Sequence, residues 1–158
     1  MGNNKIYTIS QGLELAKNYA SLQERTQDEV VSKLVSAGLS QEEAEEVVAE
    51  LILQDYINEQ RYANLYARSK FNQNNWGKTK IKYGLRAKKI SDRCIEEALE
   101  TIEEKDYLEK CRMVFEKKLK TTKGKNQRDI INKTTRYLYS RGFDYETINI
   151  IVQDYENS

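Results

Sequence analysis

The sequence predicts an all-α protein made of three tandem three-helix repeats in an elongated array. Proline, the strongest helix breaker, is absent from the 158 residues, and glycine occurs only seven times. So few turn residues argue against sandwiches and barrels. The mean hydropathy of −0.81 suits a thin helical protein with much surface, or disorder, better than a compact globule. A hydrophobic pattern of helical period also recurs at intervals of 51 and 53 residues, which favours helical repeats.

The first repeat has the clearest helix signals. Thr26 with Glu29, and Ser40 with Glu43, have the spacing of a capping box, in which a hydroxyl and a carboxylate satisfy backbone donors at a helix start. Gly38 lies between these two helices, at the position of a left-handed C-terminal cap. An apolar segment of helical period before Thr26 adds another helix. The first repeat is therefore predicted to contain three helices.

The same pattern returns in the middle and last thirds of the chain. Three positions recur in register. They are an apolar residue near the end of one helix, the residue after the turn and an apolar residue in the next helix. The three sets are Leu34, Leu39 and Ala44; Leu85, Ile90 and Ile95; and Leu138, Phe143 and Ile148. With one helix before each pair, we expect repeats at residues 1–55, 56–105 and 106–158. Because units this small bury little area alone, neighbouring repeats should share their buried faces.

The net charge of +1 hides a strong segregation of charge along the chain. Residues 28–59 carry nine acidic side chains and one lysine, and residues 96–109 carry seven acidic side chains and one lysine. Residues 68–93 and 117–141 each carry nine basic side chains and one acidic side chain. A single charged run is usually a solvated face, but two basic blocks beside acidic ones favour a partner surface. That partner would be nucleic acid, an acidic protein, or a filament containing both.

The first basic block supplies the candidate binding residues. Five of its cations are spaced by four, four, three and four residues, which places them on one stripe if the segment is helical. Such a stripe suits phosphate groups or an acidic protein surface. The candidate set, including neighbouring residues, is Arg68, Lys70, Trp76, Lys78, Lys80, Lys82, Arg86, Lys89 and Arg93.

Trp76 is the only tryptophan and lies in a polar, basic segment. An indole in such a segment can stack on a base or fill a pocket in a partner protein. The preferred interpretation is that Trp76 folds back onto the helices of the second repeat, because an indole gains most from burial.

Several kinds of chemistry are disfavoured by composition. Histidine is absent, which removes the usual general base and zinc ligand, so we expect no catalysis, metal or cofactor. Cys94 and Cys111 lack metal or redox spacing and are interpreted as reduced packing residues. Residues 1–10 lack a signal-peptide core, and no apolar run is long enough to span a membrane. A cytoplasmic monomer is predicted, with a mobile polar connection at residues 120–127 that lacks phosphate-loop spacing.

Four segments together resemble the RecX family of bacterial recombinase regulators. They are Tyr-Ile-Asn-Glu-Gln-Arg-Tyr-Ala at 56–63, Tyr-Ala-Arg-Ser-Lys-Phe at 66–71, Trp-Gly-Lys-Thr-Lys-Ile at 76–81 and Leu-Tyr-Ser-Arg-Gly-Phe at 138–143. The similarity extends roughly over residues 10–155. The chain departs from the family pattern in two places: Lys89 stands where the family usually has a glycine in a turn, and Asn58 with Glu59 stands where it has an acidic pair.

The resemblance implies an elongated, curved array that binds along the groove of the RecA–DNA filament. It implies less strand exchange, less DNA-dependent ATP hydrolysis and less co-protease activity. Two alternatives remain open at this point. In the first, the repeats would act as helix-turn-helix-like modules that bind DNA directly and do not depend on RecA, whereas the filament interpretation allows only weak direct DNA binding. In the second, the chain would be a helical scaffold for another charged protein.

Overall fold

The structure, a computed structural model, describes residues 8–158. Within that range the chain forms nine α-helices and no strand, which confirms the all-α repeat array. Predictions for residues 1–7, including the start of the first repeat and the lack of a signal-peptide core, lie outside the described residues. The helices are α1 (Ile9–Leu22), α2 (Gln27–Ala37), α3 (Gln41–Leu53), α4 (Glu59–Asn74), α5 (Lys78–Ala87), α6 (Asp92–Glu100), α7 (Glu104–Thr121), α8 (Gln127–Ser140) and α9 (Tyr145–Glu156).

Both predicted capping boxes are present. The Thr26 hydroxyl accepts a hydrogen bond from the Glu29 backbone at 3.1 Å, and the Glu29 carboxylate accepts one from the Thr26 backbone at 3.3 Å. Ser40 and Glu43 form the same pair of bonds, at 3.1 and 3.0 Å. Gly38 ends α2 with a φ of 125°, a conformation that side-chain-bearing residues rarely adopt. The sequence therefore specifies the starts of α2 and α3 and the turn between them.

The nine helices pack in three groups of three. Helices α1 to α3 pack on one another, as do α4 to α6 and α7 to α9, and we call these groups the first, second and third units. The predicted limit at residue 55 precedes α4, and the limit at residue 105 falls in the first turn of α7. As limits of folding domains, they stay predictions.

The buried side chains form two cores, although the sequence led us to expect every neighbouring pair of units to share a face. One core belongs to the first unit and includes Ile57, just before α4. The other runs without interruption through the second and third units. The expectation is therefore confirmed for the second and third units and wrong for the first, whose contact with the second is made by charged side chains.

The second and third units meet backbone to backbone at two glycines. The Gly77 amide donates to the Arg141 carbonyl at 2.7 Å, and the Thr79 amide donates to the Gly142 carbonyl at 3.0 Å. A Cβ at Gly77 would lie 2.3 Å from the carbonyl carbon and oxygen of Gly142. We call this contact the glycine joint, and it requires a residue without a side chain at Gly77.

Tyr107 secures the same joint from α7. Its hydroxyl accepts a hydrogen bond from the Lys78 backbone at 3.0 Å and donates to Asp144 at 3.1 Å. Burial raises the pKa of Tyr107 far above its usual value, so this hydroxyl keeps its proton. Burial acts to raise the pKa of Asp144 as well, but hydrogen bonds from the backbone and hydroxyl of Thr147 outweigh it and the pKa is lowered. Asp144 is thus an anion that caps α9, and the Tyr107 hydroxyl links it to the start of α5.

The first and second units meet through ion pairs, which we call the charged joint. Arg61 on α4 contacts Glu24 at 2.5 Å and Asp55 at 3.1 Å. The turn after α5 adds two further pairs, Lys88 with Glu29 at 3.6 Å and Lys89 with Asp28 at 3.0 Å. The hydrogen bond to Glu24 raises the pKa of Arg61. Acidic residues of the 28–59 block therefore pair with basic residues of the 68–93 block within the same molecule.

Salt is expected to loosen the charged joint and leave the glycine joint unchanged. At about 1 M salt the screening length falls to about 3 Å, which weakens exposed ion pairs. Spin labels at Ser36 and Tyr83 should give a broader distance distribution in high salt, whereas labels at Tyr83 and Glu146 should not. Substitution of Arg61 by glutamine should broaden the first distribution already at low salt, while unfolding free energy changes by only about 1 kcal/mol. Equal broadening of both distributions would contradict this difference between the joints.

Candidate functional site

The predicted basic stripe is divided among three local structures. Helix α5 ends at Ala87, so Lys78, Lys82 and Arg86 share one helix face. Lys89 lies in the following turn with a φ of 60°, and Arg93 lies on α6. The expectation of a single helical stripe is therefore wrong beyond Arg86, because the chain turns there. The left-handed backbone at Lys89 also explains why glycine is the less strained residue at this position.

Four of the nine candidate residues are paired with carboxylates of the same molecule. The two pairs on α5 join it to α6, the pair at Lys89 belongs to the charged joint, and the pair at Arg93 lies within α6. They are Lys82 with Glu96 at 3.5 Å, Arg86 with Asp92 at 3.3 Å, Lys89 with Asp28 at 3.0 Å and Arg93 with Glu97 at 3.9 Å. Such partly exposed pairs contribute about 1 kcal/mol or less, so a partner must only compete with a weak contact.

Trp76 folds back against the core of the second unit, as the preferred interpretation predicted. Its ring meets Tyr66 edge to face, with the ring centres 6.4 Å apart. The ammonium groups of Lys70 and Lys80 lie 5.0 and 4.8 Å from the centre of the indole. Two cations thus lie within cation–π distance of the half-buried indole, and we call these three residues the tryptophan cluster.

The other four cations among the candidates keep their charge available. Among residues 8–158, the side chains of Arg68, Lys70, Lys78 and Lys80 form no ion pair with a carboxylate. Lys78 lies over the Tyr107 ring at 4.8 Å, next to the glycine joint. The eight candidate cations therefore divide into four that are paired within the molecule and four that are not, and two of the unpaired ones, Lys70 and Lys80, lie beside Trp76.

The third unit contains a larger set of unpaired cations that the candidate list omitted. Within the described chain, one cation of the second basic block is ion-paired, Lys133 with Asp129 at 3.3 Å. The cations of this block without such a partner among residues 8–158 are Lys117, Lys118, Lys120, Lys123, Lys125, Arg128, Arg136 and Arg141. The block has a single acid, Asp129, and that imbalance was the signal in the sequence that marked it.

The connection before α8 is shorter and more organised than expected. Helix α7 continues to Thr121 and α8 begins at Gln127. The Lys125 amide donates to Asp129 at 3.0 Å, and the Lys133 ammonium donates to the Lys123 carbonyl at 3.0 Å. The backbone bond from Lys125, followed by the contact with Lys133, lowers the pKa of Asp129. The one carboxylate of the block is therefore occupied by the connection itself.

Both thiols are free and buried, and burial raises the pKa of Cys111 to about 12, which disfavours its nucleophilic form. Between residues 8 and 158, no cluster of acidic or cysteine side chains has a geometry suited to a metal ion. None of the helices in that range is long and apolar enough to cross a bilayer.

Comparisons with known proteins identify the family. A model of the second three-helix domain of RecX matches residues 58–99, and a model of the third three-helix domain matches residues 104–152. Regulatory protein RecX from Clostridium acetobutylicum is 30% identical over 157 residues, covering 96% of this chain and 70% of that protein. The chain belongs to the RecX family. The resemblance carried by the four sequence segments is thereby confirmed.

Other RecX proteins extend the comparison. Regulatory protein RecX from Streptococcus uberis is 30% identical over 144 residues, covering 90% of this chain and 55% of that protein. The chain spans about half the length of several such curated relatives, including one from Bacillus cereus of which 52% is covered. The crystal structure of RecX from Lactobacillus salivarius is 34% identical, with a TM-score of 0.88, covering 95% of this chain and 97% of that one. The helical repeat array is therefore a RecX fold.

Proposed function

We propose that this protein binds along a RecA–DNA filament and lowers strand exchange, DNA-dependent ATP hydrolysis and co-protease activity. The observation that supports this most is the pair of cations beside Trp76, Lys70 and Lys80, which have no carboxylate partner among residues 8–158, in a chain whose relatives are named regulatory proteins. A nucleoprotein filament presents phosphates and protein surfaces side by side, which suits a molecule with separate positive and negative faces. The protein would act in the cytoplasm as a monomer.

In this proposal the primary contacts with the filament are made by Arg68, Lys78 and the tryptophan cluster. Their charges are not engaged by carboxylates of residues 8–158, so binding there displaces no ion pair. The paired candidates Lys82, Arg86, Lys89 and Arg93 would contribute by exchanging their carboxylate partners. Because the units are linked in one chain, several modest contacts on neighbouring protomers would combine into a strong interaction.

Charge reversal within the second unit should separate these two groups. The double variant Lys70→Glu with Lys80→Glu is expected to raise the concentration needed for half-inhibition by roughly tenfold, because it removes unpaired charge. Lys82→Glu with Arg86→Glu changes the net charge equally and should have a smaller effect. The measurement is RecA ATP hydrolysis on single-stranded DNA, titrated with each variant. A larger effect of the second variant would contradict the assignment of the contact surface.

The same titration tests the function itself. Loss of hydrolysis well below one copy per RecA would support capping or disassembly of the filament. No loss at excess protein, together with tight binding to naked DNA and a steep dependence on salt, would instead favour the direct DNA-binding alternative. If the protein neither lowers hydrolysis nor binds naked DNA, the remaining alternative is a helical scaffold for another charged protein.

A further inference from the structure

The two joints between units use the same positions of the repeat. At the charged joint, Asp28 in the first turn of α2 contacts Lys89 in the turn after α5 at 3.0 Å. At the glycine joint, the Thr79 amide in the first turn of α5 donates to the Gly142 carbonyl in the turn after α8. Asp28 and Thr79 each lie two residues after an N-cap, and Lys89 and Gly142 are separated by the repeat spacing of 53 residues. Each unit therefore contacts the next through the start of its own second helix and the turn after the next unit's second helix.

This pattern leaves one contact surface uncovered in the first unit and one in the third. The first surface is the turn at residues 37–40, which we call the first-unit turn; its Gly38 corresponds to Gly142. Gly142 is buried at the glycine joint, whereas Gly38 is exposed. The second surface is residues 123–129, which we call the α8 start; its Arg128 lies two residues after the N-cap and is exposed. Among residues 8–158, no further unit covers either surface.

The two uncovered surfaces carry opposite charges. Next to the first-unit turn, Glu42 and Glu46 are exposed on α3. On the α8 start, Lys125 and Arg128 are exposed as well. Within the described range, none of these four side chains has an ion-pair partner. The charged joint pairs an acidic helix start with a basic turn, and the uncovered surfaces offer the same complementarity with the signs exchanged.

We propose that the α8 start of one copy of this chain docks onto the first-unit turn of a second copy, as successive units dock within the chain. Arg128 then lies beside Gly38, where the lack of a side chain permits the close backbone approach seen at the glycine joint. The exposed cations of the α8 start face Glu42 and Glu46. Because the contact joins two different surfaces, each copy keeps one of them unused and association continues head to tail.

The contact between copies is weaker than its counterparts inside the chain. Units of one chain are held together by the polypeptide, whereas separate copies lose translational and rotational freedom when they associate. Exposed ion pairs also contribute little and are screened by salt. A dilute solution should therefore contain monomers, as in the function proposed above. Copies associate where they are concentrated, including side by side on a common partner.

The test is sedimentation equilibrium of the full chain in about 50 mM salt, without RecA or DNA. At a protein concentration of about 1 mM, the weight-average mass should be roughly twice that of one chain, as for a head-to-tail dissociation constant on the order of 1 mM. The mass should keep rising with concentration. About 0.5 M salt should return it to the mass of one chain, because the charges are then screened.

Charge reversal identifies the two surfaces. The acidic variant, Lys125→Glu with Arg128→Glu, has acids on both surfaces, and the basic variant, Glu42→Lys with Glu46→Lys, has bases on both. Each variant alone should keep the mass of one chain. An equimolar mixture should recover the rise, because each α8 start then meets a turn of opposite charge.

The matched control is Lys105→Glu with Arg136→Glu. It changes the net charge as the acidic variant does, at exposed positions on α7 and two turns beyond the first turn of α8. This control should associate as the unsubstituted chain does. Circular dichroism should show every variant folded, because all the substituted side chains are exposed.

A mass that stays at one chain near 1 mM would overturn the proposal. A rise that stops at the dimer would also overturn it, because a contact between identical surfaces saturates there. So would a mixture of the acidic and basic variants that fails to associate, since the first-unit turn would then not be the partner of the α8 start. The assay contains no RecA, so its outcome is independent of the proposed function.

Discussion

Substitution of Phe143 by alanine is expected to lower the free energy of unfolding by roughly 4 kcal/mol, as for other buried phenylalanines. Phe143 is 2% exposed, and its ring lies 5.5 Å from that of Tyr107. It belongs to the core that the second and third units share. The cavity left by its ring should therefore destabilise both units together, although Phe143 lies in the third.

Trp76 provides the measurement, because the only tryptophan lies in the second unit. In urea, the Phe143→Ala variant should lose native Trp76 fluorescence at a lower concentration, at the midpoint seen by circular dichroism. Leu34→Ala is the matched control, since Leu34 is fully buried in the first core. That variant should lower helicity early and leave the Trp76 transition in place. An unchanged Trp76 transition in Phe143→Ala would contradict a shared core.

Substitution of Gly77 by alanine is expected to cost roughly 3 kcal/mol through overpacking. The added Cβ would lie 2.3 Å from the carbonyl carbon and oxygen of Gly142 and 2.4 Å from the Phe143 nitrogen. These are backbone atoms, so no side-chain rotation can relieve the contact. The units would have to separate, which would strain the 2.7 Å bond from Gly77 to Arg141.

Gly124→Ala is the matched control for Gly77→Ala. A Cβ at Gly124 would meet side-chain atoms of Asp129 at 2.7 Å and Ile130 at 2.9 Å, which can rotate, and one backbone atom, the Ile130 nitrogen, at the longer distance of 3.1 Å. Both substitutions reduce the entropy of the unfolded chain to a similar extent. The difference between their changes in unfolding free energy therefore reports the cost of overpacking at the glycine joint. Urea unfolding followed by circular dichroism measures that difference. A gap below about 1 kcal/mol would mean that the joint yields easily.

Local patterns were sufficient to predict much of the helical framework. The capping boxes at Thr26 and Ser40 and the turn at Gly38 depend on residues within a few positions of one another, so the sequence displays them directly. The repeat spacing similarly predicted three similar groups of helices. The contact of Gly77 with Gly142 was not predictable, because neither residue's neighbours indicate what approaches from a distant segment.

In the candidate site, too, local features were predictable and contacts between distant segments were not. The spacing of basic residues marked α5, and the burial expected of an indole placed Trp76 against the core. The sequence could not show which cations are paired, because Asp28 and Lys89 meet only after the first and second units come together. For the same reason the third unit's cations were noticed as a block and not chosen as site residues.

The two joints give the molecule unequal stiffness. The second and third units form one stiff arm of six helices, because bending at the glycine joint would open a shared core. The first unit is a shorter arm, and bending at the charged joint stretches ion pairs between separate cores without opening either. A load applied to both ends would therefore bend the molecule at the charged joint, near Arg61. The angle between the first unit and the other two should therefore vary more than the angle between the second and third units.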